Sequence, residues 1–113
     1  MKWFDRLYVG DGAEKKQDRI VRGIRVGKVQ WNVYVLTLPS NPANQLDILS
    51  SNYLLQSYYR RQEDLTVVGI AKGREEAFFV LQQMVEDAMK EYGTPDLRRL
   101  FSLDKYTQEE ADA

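Results

Sequence analysis

Apolar and polar positions along the chain follow two different rhythms. Trp31–Leu38 is rich in aromatic and β-branched residues, and both of its alternating faces carry large apolar side chains until Pro39 stops it. That pattern predicts a strand covered on both sides. Leu65–Ala71 has the same character and ends at Lys72-Gly73. Arg74–Tyr92 changes rhythm: Ala77, Phe78, Leu81, Met84, Val85, Ala88 and Met89 recur at three- and four-residue steps before Gly93 and Pro95, the spacing of an amphipathic helix with its stop signals. Glu75 and Glu76 fall in its first turn, where they suit the positive end of the helix dipole.

Weaker patterns fill the intervals. Ala13–Val26 places Ile20, Val21 and Ile24 on one side and Lys15, Arg19, Arg22 and Arg25 on the other, which predicts a helix with a basic outer face stopped by Gly27. Asn44–Tyr59 carries Leu46, Ile48, Leu49, Tyr53, Leu54, Leu55 and Tyr58 at mostly helical spacing, interrupted at Ser50-Ser51-Asn52. It reads as one broken helix or two short ones. Arg6–Val9 reads as a short first strand, and Pro95–Phe101 as a last helical turn. Strands alternating with helices imply an α/β domain: a short, mainly parallel sheet of two or three strands flanked by helices. If the first strand fails, the alternative is α+β around a smaller sheet. No repeat or low-complexity tract interrupts residues 1–102, which read as a single domain, and the acidic residues 103–113 read as a frayed or disordered tail.

Composition narrows the chemistry. The 113 residues contain no cysteine and no histidine. Disulfides, thiolate nucleophiles, Cys/His zinc sites and imidazole bases are thereby excluded. No apolar stretch approaches the ~20 residues of a membrane span, and charges break up the apolar residues of the N-terminus. The expectation is a cytoplasmic protein with no membrane association and no cofactor. The net charge of −1 conceals an asymmetry: residues 1–30 hold eight basic and four acidic groups, residues 74–113 five basic and ten acidic. If the two segments stay apart, the molecule is dipolar and suited to self-association or a charge-matched partner. If they face each other, they cancel.

In a parallel sheet the loops that follow the strands emerge on one edge, where α/β folds bind ligands. Gly10–Ala13, Pro39–Asn44 and Lys72–Arg74 would meet there. Asp11, Ser40, Asn41, Asn44, Lys72, Gly73 and Arg74 are the candidate ligands for a phosphate or small anionic metabolite, beside helix N-termini whose amides attract anions. The same residues also suit plain turns and caps, and neither a dinucleotide-type nor a P-loop glycine pattern is present. Tyr58, Tyr59, Arg60 and Arg61 set two aromatics beside two guanidinium groups, a combination favoured at protein interfaces. Without a basic composition, nucleic acid is disfavoured as a partner. The basic face made by Lys15, Lys16, Arg19, Arg22, Arg25 and Lys28 is either a solvated helix face or a surface for an acidic partner. Asp47, the lone acid between Gln30 and Gln62, is either a perturbed carboxylate or a polar helix-surface residue. No metal-ligand spacing is present.

Several runs are familiar together: Leu7-Tyr8-Val9-Gly10, Leu36-Thr37-Leu38-Pro39-Ser40-Asn41-Pro42, Leu54-Leu55-Gln56, Tyr58-Tyr59-Arg60, Val68-Gly69-Ile70-Ala71-Lys72-Gly73 and Asp96-Leu97-Arg98-Arg99. Over residues 7–101 the chain resembles a family of short bacterial proteins of unknown function. The resemblance implies a free-standing cytosolic domain and brings no catalytic residue. The expected function is therefore a non-enzymatic interaction or regulatory module, as a homo-oligomer or with a protein partner. The alternative is a binder of a small anionic or phosphate-bearing ligand at the C-terminal edge of the sheet.

Overall fold

Val33–Leu38 begins two residues later than the pattern predicts and forms strand β2 of a mixed sheet. The computed structural model describes residues 1–38, 45–56, 65–101 and 106–109. Strand β1 runs from Lys2 to Val9, twice the length of the expected segment. Helices α1 (Asp11–Glu14) and α2 (Gln17–Val26) follow it. After β2 come β3 (Asp47–Ser50), a 3-10 helix (Ser51–Leu55), β4 (Thr66–Lys72), helix α3 (Arg74–Tyr92), helix α4 (Leu97–Leu100) and β5 (Tyr106–Glu109). Of the stretch expected to fray, 103–113, only β5 belongs to the described residues.

The strand order is β3-β2-β4-β1-β5. Only β1 and β4 are parallel; β2 runs antiparallel to both β3 and β4, and β5 antiparallel to β1. This corrects the mainly parallel sheet of two or three strands, and the α+β alternative that depended on losing the first strand. The correction comes from two places. Helix α2 and its connection return the chain to the edge where β1 ended, so β2 starts there and runs back, pairing Val33 with Lys72 and Leu38 with Thr66. Residues Asp47–Ser50, expected as helix, instead pair with β2 from Thr37↔Asp47 to Tyr34↔Ser50. As a strand, this segment sends Ile48 to one face of the sheet and Leu49 to the other, so both find apolar cover. As a helix it would leave β2 with a bare edge.

The sheet separates two cores. On one face Leu36, Leu38, Val68 and Ala71 pack under Ala77, Val80, Met84 and Ala88 of α3, with Phe4 and Phe101 meeting edge to face at 4.7 Å. On the other, Trp3, Val33, Val35, Val67 and Ile70 pack under Ile20 and Ile24 of α2. Strand β4 is central and buried on both sides. Its alternation breaks once: Val68 and Ile70, two positions apart, point to different cores, and the register against β1 and β2 slips between Val67 and Gly69. That is a β-bulge. Both long helices stop where the sequence placed glycines: Gly27 (φ 77°) closes α2 and Gly93 (φ 72°) closes α3, the left-handed cap that glycine adopts at no steric cost.

Candidate functional site

The parallel pair β1/β4 ends at one edge, where Val9 lies opposite Ile70 and the Gly10 amide donates to the Ile70 carbonyl at 2.9 Å. Both strands hand over to helices there, α1 at Asp11 and α3 at Arg74. Asp11, Lys72, Gly73 and Arg74 therefore line one cleft of about 870 Å³. Ser40, Asn41 and Asn44 lie outside the described residues. The last described residue before them, Leu38, pairs with Thr66 at the other end of β4. Tyr58, Tyr59, Arg60 and Arg61 also lie outside the described residues.

The chemistry of this edge is governed by a residue the sequence reading assigned only to a helix dipole. Glu76, in the first turn of α3, turns its carboxylate back over the strand ends. Oε1 accepts the Gly12 N–H at 2.7 Å, and Oε2 accepts the Lys72 N–H at 2.7 Å. The contact explains Gly12 sterically, since a Cβ there would stand 2.6 Å from Oε1. Two amides that could hold an external anion thus hold an internal carboxylate. The cleft is also acidic on balance, with Asp11, Glu75, Glu76 and Glu86 against Lys72 and Arg74.

At the rim of the cleft stands Trp31, 81% exposed. Its backbone is held from both sides. Asn52, in the 3-10 helix, accepts the Gln30 N–H at 3.0 Å and donates its amide to the Gln30 carbonyl at 3.1 Å. On the other flank Asn32 adopts a left-handed conformation (φ 57°), and its carbonyl accepts the Gly73 N–H at 2.7 Å. Lys72 Nζ donates to the Trp31 carbonyl at 3.1 Å and lies 5.4 Å from the indole centroid, within the range of a cation–π contact. Phe79, 66% exposed, lines the same cleft, and the Arg74 guanidinium lies 5.8 Å from the neighbouring Phe78 ring. The aromatic and β-branched run beginning at Trp31 reads as one strand, which conceals that Trp31 precedes the sheet. The signal available in the sequence is Asn32, a residue type that tolerates left-handed backbone and so marks a turn.

The remaining candidates are dispersed. Lys15, Lys16, Arg19, Arg22, Arg25 and Lys28 are exposed on the α2 side of the sheet. Asp47 opens the edge strand β3 opposite Thr37, half-buried, and is no helix-surface residue. On the α3 side, the Tyr8 hydroxyl donates to Asp87 Oδ2 at 2.5 Å, and Gln83 donates to the other oxygen at 3.1 Å. Burial pushes the Tyr8 phenol well above its ordinary value, and the bond to Asp87 pushes it further. A phenol held this firmly as a donor is a poor general base. Among the described residues no group of three or more carboxylates could hold a metal ion, and no helix is long and apolar enough to cross a membrane.

Comparison with protein-family models, with curated proteins and with solved structures gave no significant match in any of the three. The resemblance to a family of short bacterial proteins gains no support from them.

Proposed function

We propose that the chain is a non-enzymatic protein-interaction module, and that the edge built around Trp31 is its docking surface. The observation that carries this is the combination of a fully presented indole with a fixed backbone. Exposing an indole to water is unfavourable, and nothing about folding requires Trp31 at that place. Interfaces, by contrast, concentrate their binding energy in Trp, Tyr and Arg anchors that are already ordered before the partner arrives. Lys72 lies against the indole, and Arg74 and the exposed Phe79 line the adjoining cleft. The alternative of a small anionic ligand is weaker at this edge, because Glu76 already takes the Gly12 and Lys72 amides and acids outnumber bases around the cleft.

The test is the native size of the chain in extract from the cells that make it. Tagged wild-type chain should elute well above its own 13.2 kDa, and Trp31→Ala should bring it down to the monomer position. Elution of both at the monomer position would overturn the reading. Trp31→Ala should leave the folded domain intact, since an exposed side chain away from the core changes stability by about 0.5 kcal/mol or less.

A further inference from the structure

For the helical parts of the two segments, the charge asymmetry that the sequence leaves open is decided by the sheet. Residues 11–28 hold six basic and three acidic groups, and helix α3 holds five acidic and two basic. Helix α2 covers one face of the sheet and α3 the other. The basic and acidic faces therefore cannot neutralise each other within one molecule. Each also exposes large apolar side chains beside its charges: Val26, 67% exposed, on the α2 side and Phe79 on the α3 side. Two surfaces of opposite charge, each with an apolar component, facing away from one another are complementary between molecules.

We infer that the partner is a second copy of this chain, whose basic α2 face, led by Arg19 and Arg22, docks against the acidic α3 face and cleft, led by Glu75 and Glu86, with Trp31 at the rim of the contact. This rests on the interaction reading above and names its occupant. Because the two surfaces differ, the contact is head-to-tail. Each added copy leaves one face of each kind unused, so assembly continues past the dimer unless the rotation closes a ring.

The experiment is light scattering on the purified full-length chain over a range of concentrations and salt. The average mass should climb with concentration beyond two copies at about 10 mM salt, where charges act over about 30 Å, and fall to the monomer near 1 M, where they act over about 3 Å. Arg22→Glu and Glu86→Lys should each weaken association at least about tenfold, since each places like charges across the contact. Mixing the two variants is the decisive step. Arg22→Glu keeps a sound acidic face and Glu86→Lys a sound basic one, and the two faces left over carry reversed charges that again complement each other, so the mixture should regain the growth that each variant alone loses. Wild-type chain that stays monomeric at low salt and high concentration would overturn the self-pairing. So would variants that behave like wild type, or a mixture that stays monomeric. A monomeric purified chain that elutes large in extract would give the Trp31 edge a different protein partner. A monomer that shifts a DNA or RNA oligomer at low salt, with the shift lost in Arg22→Glu, would give the basic face to nucleic acid.

Discussion

The carboxylate of Glu76 reaches across to Gly12, 64 positions away in the chain, and takes its backbone N–H at 2.7 Å. Its other oxygen holds the Lys72 amide, so one side chain ties the turn after β1 to the turn after β4. The edge that carries Trp31 is built on this tie.

Glu76→Ala should cost about 2 kcal/mol, because two amides lose a charged acceptor at once. Urea denaturation measures it. The vacated amides should then accept another anion: inorganic phosphate should raise the melting temperature of Glu76→Ala and leave the wild type unmoved at matched ionic strength. Stabilisation of the wild type by phosphate would show that the cleft takes an anion despite Glu76.

The bond from Tyr8 to Asp87 should be visible in the pH dependence of stability. A phenol whose folded value lies above the ordinary 10.0 contributes stability that is complete below pH 10 and fades as the pH rises through the folded value. Tyr8→Phe should be less stable than wild type by about 1 kcal/mol at neutral pH. The gap should hold from about pH 7 to about pH 9 and shrink above 10. A gap independent of pH would mean that the lost hydroxyl matters for packing and not as a donor.

Thr37 is fully buried in β2, and its hydroxyl has no hydrogen-bond partner among the described residues. Thr37→Val keeps the branched shape and removes the unpaired hydroxyl, so it should stabilise the fold by about 1 kcal/mol. Thermal unfolding of the two proteins side by side reads the sign directly, and a loss of similar size would show that the hydroxyl is bonded.

Where elements are long and strongly periodic, the sequence specifies them locally. Helix α3 runs from Arg74 to Tyr92 and stops at Gly93 because apolar spacing and the cap residue agree. Residues 47–50 were not legible in this way. Leu46, Ile48, Leu49 and Leu54 fall at helix-like intervals only because a four-residue strand adjoins a 3-10 helix, and the partner that makes the segment a strand is β2, 12 residues away in the pairing of Leu36 with Ile48 and 14 in that of Val35 with Leu49. Nor was the direction of β2 legible, since it depends on α2 and its connection returning the chain to the end where β1 stops; that reversal undoes the expected convergence of three loops. At the candidate site, the strand-end turns carrying Asp11, Lys72, Gly73 and Arg74 were legible because Gly residues punctuate them. The role of Glu76 was not, since it depends on a contact between distant segments. Trp31 was hidden by its own chemistry: an aromatic next to a β-rich run reads as part of the strand.

The central claim is that the Trp31 edge touches another protein in the cell. The most direct measurement replaces Trp31 with a photo-crosslinking phenylalanine analogue in cells expressing the full chain, beside a second protein with the analogue at Arg99, which is also exposed but belongs to α4, beyond the far end of α3. Discrete crosslinked species that form from position 31 and not from position 99, and that disappear in the presence of Lys72→Ala, are the predicted result. Equal or absent crosslinking at the two positions would contradict the account.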